Sequence, residues 1–231
     1  REFWKAHNLS ELCPDGFSRT YESPPGCAGI GTTFDANEGR VMAFFRQPEQ
    51  RMVSDLFWSK KEWLKANVSA RQRARDRYVG CAVKSLTRQG NFSAPRWLQV
   101  GGVHFPVLEP CTLLPLPTEK EAELAVQRVR RLAFVGLTEE WNMSICLFHA
   151  MYGGPCRQVE LWNTRPGPNR STHADRTGAY NAMFLLHGFT DPYDGPVYET
   201  AKEVFWSRIE EWGVTKEGCQ RCFASAIPDI D

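Results

Sequence analysis

The chain has 231 residues, the size of one ordinary globular domain. Apolar residues make up 42% and charged residues 24%, which excludes a disordered chain, a collagen-like chain and a coiled coil. The formal net charge is only +1, so nucleic acid is not an expected partner and any anion site must be built locally. No apolar run reaches the roughly 18 residues that a membrane span needs, so none is expected within the chain.

The first half of the chain predicts a strand followed by helices. Residues 1–40 are rich in Gly and Pro and are expected to be irregular, whereas Val41–Phe45 has the length of a buried parallel strand. Pro48 suits the first turn of a helix that runs to Ser59, because its missing N–H is not needed there. Two more helical patterns follow over residues 60–87, and the second of them is basic.

The second half predicts a similar alternation after an irregular stretch at residues 88–117. Thr118–Glu121 has the spacing of a capping box and begins a helix. A second buried strand is predicted at Leu132–Val135, and helices are predicted from Thr138 and over Val197–Trp212. The helix from Thr138 carries Trp141, Ile145 and Phe148 on one face. The aromatic stripe of the last helix is expected to lie in the core, at Tyr198, Ala201, Phe205, Ile209 and Trp212.

Strands that alternate with helices predict one α/β domain over residues 1–231. Its core is expected at residues 41–212, between the irregular N-terminal segment and a C-terminal tail at residues 213–231. No internal repeat, low-complexity tract or shift in composition marks a boundary within it.

The cysteines favour disulfides over a metal site. There are 8 of them, an even number, although the sequence leaves 105 pairings open. Cys219 and Cys222 form a CxxC pair, but a structural zinc site needs a second ligand pair at comparable spacing. We therefore expect disulfides or inert thiols at this pair, and no metal.

Glycosylation acceptors are more frequent than chance predicts. Five N-x-[ST] sequons are present, against about one expected from 8 Asn and 25 Ser and Thr. Asn142 lies in a helical pattern and is not expected to carry a glycan. The excess and the even cysteine count predict an oxidising, secretory-type compartment. The glycosylation candidates are Asn8, Asn67, Asn91 and Asn169.

The most informative segment surrounds Arg46. A buried strand ends, Arg46 follows at once, Pro48 begins a helix, and Ser54 lies eight residues after the arginine. Ligands of open α/β sheets bind beyond the carboxyl ends of the strands, where helix N-termini offer free N–H groups. The planar guanidinium of Arg46 suits a phosphate there, and Ser54 can add a neutral hydroxyl donor.

Three segments, in matching order, resemble sulfotransferases. The Arg46–Ser54 segment resembles the element that binds the 3′-phosphate of the sulfate donor, 3′-phosphoadenylyl sulfate (PAPS). Leu132–Glu139, with the sequence LAFVGLTE, resembles a segment of the Golgi carbohydrate-type sulfotransferases, including relatives abundant in algae. Asp191–Glu199, which leads into the last helix, resembles their C-terminal signature.

The resemblance implies a P-loop-like sulfotransferase fold, in which helices flank a parallel sheet, and a loop upstream of Arg46 for the phosphosulfate end of PAPS. Gly26–Thr33 is glycine-rich but lacks the usual lysine, and only 12 residues separate Thr33 from Arg46. A helix and a return strand do not fit in that length. We therefore expect a structural turn here and an N-terminally incomplete sulfotransferase domain.

Further site residues are weaker candidates. Sulfotransferases of this type use a His or Glu as base, so His7 is the catalytic candidate, and Arg170 is a candidate for contacting the nucleotide. Lys84 and Arg88 are expected on the solvated surface rather than in an anion cleft. The remaining histidines are expected to be structural, at His104, His149, His173 and His187.

Two functions follow as hypotheses. The first is a PAPS-dependent sulfotransferase that acts on a hydroxyl of a glycan or similar acceptor in the Golgi or another oxidising lumen, with a phosphosulfate loop that would lie upstream of Arg1. The second is a catalytically inactive scaffold with the same fold, whose partners are protein subunits of a larger assembly. The Arg46 and Ser54 pair favours the enzyme, and the lack of a phosphosulfate loop favours the scaffold.

Overall fold

The computed structural model describes residues 30–56, 72, 75–88, 97–100, 103–106, 111, 115–161 and 186–226. Over these residues the protein is a mixed α/β structure. The strands are β1 (Met42–Phe45), β2 (Trp97–Val100), β3 (Val103–Pro106) and β4 (Phe134–Leu137). The helices are α1 (Pro48–Leu56), α2 (Cys81–Thr87), α3 (Glu119–Arg130), α4 (Trp141–Tyr152), α5 (Asp194–Glu211) and α6 (Lys216–Ala224). Short 3-10 helices lie at Gly31–Thr33, Asp35–Asn37 and Gln158–Leu161.

The predicted parallel strand pair is confirmed, but only one of its two strands is buried throughout: in β1, Phe45 is buried whereas Phe44 is exposed. β1 pairs with β4 in a register that places Met42 opposite Phe134 and Phe44 opposite Gly136. Beyond the strand ends, the N–H of Thr138 donates to the carbonyl of Phe45 over 2.9 Å. All four residues of β4 are buried, because α5 packs against both this strand and α3. The core therefore surrounds β4.

Some strands and helices begin at residues other than those predicted, because tertiary contacts override the local sequence pattern. β4 begins two residues later than predicted and α4 three residues later, because Thr138 extends the ladder with β1. α5 begins at Asp194 rather than Val197, since Oδ1 of Asp191 accepts hydrogen bonds from the N–H groups of Tyr193 and Asp194. α3 starts at the predicted capping box.

Two predictions of local structure are wrong. Residues 88–117 are not all irregular, because β2 and β3 pair there as antiparallel strands. Two short apolar runs on either side of Gly101-Gly102 carry the pattern of a hairpin, and this signal was missed. Trp212 was expected in the core but is 45% exposed, since it lies at the end of its helix.

Three disulfides join distant parts of the chain. The pairs are Cys81–Cys111, Cys146–Cys219 and Cys156–Cys222, with Cα atoms 4.5, 5.6 and 5.7 Å apart. The CxxC cysteines therefore pair with other partners, which ties α6, in the segment expected to be a tail, to the rest of the fold. Disulfides of this kind fit an oxidising, non-cytosolic compartment. Cys13 and Cys27 lie outside the described residues.

Among the helices of the described ranges, none combines the length and apolar character that crossing a membrane requires.

The Cys156–Cys222 bridge is expected to stabilise the fold. It joins residues 66 positions apart, and replacing both cysteines with Ser should lower the free energy of unfolding by about 2–4 kcal/mol, because the unfolded chain loses a long-range constraint. Urea unfolding followed by circular dichroism measures the change. The Cys146–Cys219 bridge stays intact in this variant and keeps α6 attached, so an unchanged midpoint would contradict the prediction.

Candidate functional site

Both strands of the parallel pair end on one side of the sheet, which we call the carboxyl edge: residues 46–47 after β1 and residues 138–140 after β4. The N–H of Gln47 donates a hydrogen bond to Oε1 of Glu139 over 2.8 Å. This contact holds the two connections together. Ligands of open α/β sheets bind at this position.

Local hydrogen bonds fix the start of α1 at this edge. Pro48 is buried in the first turn, as predicted. The side-chain oxygen of Gln47 accepts from the N–H of Gln50 over 2.7 Å, and its carbonyl accepts from the N–H of Arg51 over 2.9 Å. Gln47 thus caps α1 and leaves Arg46 as the last residue before the cap.

Arg46 and Ser54, the two predicted phosphate ligands, have no polar partner among the residues that the structure describes. Both side chains are half-buried, and neither makes a hydrogen bond or an ion pair with any residue that the structure describes. A guanidinium carries five N–H donors and stays charged. Arg46 therefore has donors at the carboxyl edge for a ligand or for water.

The side of the edge next to β4 is acidic. Glu139 accepts hydrogen bonds from the N–H of Gln47 and from the hydroxyl of Thr138 over 3.2 Å. Burial of the Tyr198 hydroxyl, together with the Glu139 carboxylate, raises the pKa of Tyr198 well above its usual value. Tyr198 therefore stays protonated and neutral near Glu139. The Glu140 side chain makes no hydrogen bond within the described part of the chain.

A cavity of about 280 Å³ opens beside these carboxylates, and we call it the Trp141 notch. Its wall is residues 139–143, the first turn of α4 and the two residues before it. The indole N–H of Trp141 donates to the carbonyl of Glu160 over 2.7 Å, and its ring lies 5.0 Å from the ring of Phe44. Gly136 makes room for Phe44, because a Cβ there would lie 2.5 Å from the Phe44 ring.

A second cavity, of about 650 Å³, lies between α3 and the start of α5. Its wall contains the carboxylates of Glu119 and Glu123 but neither Arg46 nor Ser54. The predicted ligands therefore do not belong to this cavity.

Two other cations have structural roles, so the expectation of a solvated surface for them is wrong. The ammonium group of Lys84 is fully buried and donates to the carbonyl of Cys111 over 2.9 Å. Burial lowers the pKa of Lys84 to about 8, and the nearby charge of Arg88 acts in the same direction. Arg88 donates to both carboxylate oxygens of Glu121, over 2.5 and 2.7 Å.

The segment Asp191–Glu199, predicted to belong to a family signature, contributes buried hydrogen-bond acceptors. Oδ2 of Asp191 accepts from the N–H of Gly80 over 2.8 Å, and Asp194 accepts from the first N–H groups of α2 at Ala82 and Val83. Burial raises the pKa of Asp194, and the neighbouring Asp191 carboxylate adds to the effect. These caps join residues 111 and 112 positions apart, so no local pattern in the sequence could have predicted them.

The glycine-rich segment before Arg46 is structural where it is described. Gly31–Thr33 forms a 3-10 helix, and the hydroxyl of Thr33 donates to the carbonyl of Ile30 over 2.8 Å. The following Phe34 is fully buried. The segment leads into a second 3-10 turn rather than an α-helix, as expected for a structural turn.

His149 is structural, as predicted: its ring nitrogens contact the carbonyl of Gly153 and the carboxylate of Glu160. In the described parts of the chain, no group of three or more His, Cys, Asp or Glu side chains is arranged to hold a metal ion. The other predicted residues lie outside the described residues, namely His7, Arg170, and the sequon residues Asn8, Asn67, Asn91 and Asn169.

In comparisons with known proteins, no family model, no curated protein and no solved structure matches the chain.

The Arg88–Glu121 pair predicts a pH dependence of stability. Hydrogen bonds from Arg88 lower the pKa of Glu121 from 4.5 to about 2, so the folded state gains stability above about pH 4.5 and loses it as the pH falls towards 2. The Glu121→Gln variant should lose about 1–2 kcal/mol of unfolding free energy at pH 7, allowing for solvent screening. Its difference from the wild type should vanish near pH 2.

Urea unfolding at a series of pH values measures this difference. Glu123→Gln, on the exposed face of the same helix, is the matched control and should follow the wild type at every pH. A deficit of Glu121→Gln that stays constant down to pH 2 would contradict the ion pair as its source.

Proposed function

We propose that the protein is a PAPS-dependent sulfotransferase with a P-loop-like fold, which transfers a sulfo group to a hydroxyl of a glycan or similar acceptor in a Golgi-type lumen. One observation carries the proposal. Arg46 stands at the carboxyl end of a parallel strand, half-buried and without a polar partner among the described residues, directly before a proline-led helix. This is the position in which the resemblance to sulfotransferases requires a 3′-phosphate ligand.

The contrast with neighbouring cations supports this assignment. Arg128 is buried and donates to the carbonyls of Gly31 and Leu86, over 2.8 and 2.5 Å. Arg131 binds Asp35 and Glu38. A half-buried guanidinium is usually paired, because desolvation without a partner costs free energy. An unpaired one at a ligand-binding edge is therefore a candidate anion site.

The proposed reaction assigns a role to each of the candidate site residues. The acceptor oxygen bonds to sulfur as the bond between sulfur and the donor phosphate oxygen breaks, which leaves adenosine 3′,5′-bisphosphate. Arg46 and Ser54 would hold the 3′-phosphate and so align the donor for in-line transfer. His7 remains the candidate base that takes the acceptor proton, and Arg170 the candidate second nucleotide contact.

The inactive scaffold is the second candidate function. Gly31–Thr33 favours it, because this stretch packs as a 3-10 helix and does not open an α-helix that could bind a phosphosulfate group. On this proposal the fold would serve as a subunit of a larger protein assembly, and the carboxyl edge would bind no nucleotide.

Calorimetry with adenosine 3′,5′-bisphosphate tests the enzyme proposal on the full natural chain. Arg46→Ala should weaken binding by at least about tenfold, since a charge-assisted contact contributes about 1.5–3 kcal/mol. Ser54→Ala, which removes a neutral hydroxyl, should weaken it less. Arg130→Ala is the matched control, because Arg130 is an exposed arginine paired with Glu203 on α5.

Two results would contradict the proposal. Absence of nucleotide binding by the wild-type chain would favour the scaffold. Equal losses in Arg46→Ala and Arg130→Ala would show that general positive charge, and not a site at the carboxyl edge, binds the nucleotide.

A further inference from the structure

The Trp141 notch combines an exposed aromatic face with a fixed ring orientation. Trp141 and Phe44 are 40% and 42% exposed and lie ring against ring. The indole is held by its hydrogen bond to the carbonyl of Glu160, and Phe44 also contacts the buried ring of Phe134 at 5.5 Å. Here the exposed ring of Trp141 borders a cavity, so a ligand ring that enters it can cover its apolar surface.

The polar groups of the notch include donors and acceptors side by side. No side chain of the described residues caps the first turn of α4, whose residues form the notch wall, so its initial N–H groups have no intrahelical partner. Next to them are the carboxylate of Glu140 and the amide of Asn142, neither bonded within the described residues. A hydroxyl both donates and accepts hydrogen bonds, and it matches this mixture.

The charge of the notch selects against anions. A helix N-terminus attracts anions when it stands alone. Here the carboxylates of Glu139 and Glu140 form part of the same wall and would repel a sulfate or a carboxylate. A purely apolar occupant is equally unfavourable, since it would bury Glu140 and the free N–H groups without hydrogen bonds.

We propose that the Trp141 notch binds one ring of a neutral glycan, with the sugar face on Trp141 and its hydroxyls on Glu140 and Asn142. The cavity of about 280 Å³ is small for a ligand site, which suits a single ring. As the acceptor site it rests on the proposed sulfotransferase function, and the contact between Gln47 and Glu139 places it beside Arg46. The enzyme would accordingly act on neutral chains and not on highly sulfated ones.

Saturation-transfer NMR on the full natural chain, without nucleotide, tests the binding. The probes are neutral tetrasaccharides of gluco, galacto and manno configuration, and a heparin-derived tetrasaccharide as the polyanion. At least one neutral probe should bind and the heparin probe should not. Trp141→Ala should weaken the neutral binding by about tenfold or more, and Trp141→Phe, which keeps a ring, should weaken it less.

Matched variants separate this site from general effects. Trp206→Ala removes a tryptophan of similar exposure on α5 and should leave binding unchanged. Asn142→Ala, in an exposed position, should weaken neutral binding several-fold without disturbing the core, so the test does not depend on how well Trp141→Ala folds. Glu140→Gln should increase binding of the heparin probe.

The proposal is overturned if no neutral probe binds, if heparin binds more tightly than every neutral probe, or if Trp141→Ala and Trp206→Ala lose binding equally. Sedimentation velocity tests a further alternative. If the wild type is a dimer and Trp141→Ala is a monomer, a second copy of the chain and not a glycan occupies the notch. Calorimetry with adenosine 3′,5′-bisphosphate runs in parallel. Normal nucleotide binding without glycan binding would reject only the proposed glycan site in the Trp141 notch. Glycan binding without nucleotide binding would reject only the proposed nucleotide site.

Discussion

The placement of the carboxyl edge depends on a chain of buried carboxylates at the start of three helices. Glu49, in the first turn of α1, accepts from the N–H of Asp191 over 2.7 Å, and Asp191 and Asp194 in turn accept from the N-terminal N–H groups of α2 and α5. These N–H groups have no intrahelical partners and carry the positive end of the helix dipole. The carboxylates accept hydrogen bonds from these N–H groups. The contact between Glu49 and Asp191 thereby fixes the position of α1, and with it the position of Arg46.

Buried charge in this region is balanced within the fold. Lys84 is fully buried near Asp191 and Asp194, and their negative charges oppose the loss of its proton. Removing one member of such a group leaves an uncompensated buried charge, a cost of about 3–5 kcal/mol in general. These residues are therefore part of the architecture. Their charges already interact with one another and are not available to bind substrate. Arg46 differs from them because it has no polar partner among the described residues.

The carboxyl edge has two electrostatic halves. The half that follows β1 contains Arg46, and the half that follows β4 contains the carboxylates of Glu139 and Glu140. Such a division suits a reaction between an anionic donor and a neutral acceptor, because each half favours one of them and disfavours the other. The proposed donor site accordingly lies in the first half and the proposed acceptor site in the second.

The sequence by itself determined the elements whose causes are local. The parallel strand at Val41–Phe45, the proline-led start of α1 and the capping box of α3 follow from apolar run length, a missing N–H and side-chain spacing. The sequence also placed Arg46 at the end of a strand. Only the tertiary structure decided which cysteines pair, that Lys84 and Arg88 are structural, and that Trp141 faces solvent beside Phe44. These depend on which segments meet across long stretches of chain, and local pattern carries no information about such encounters.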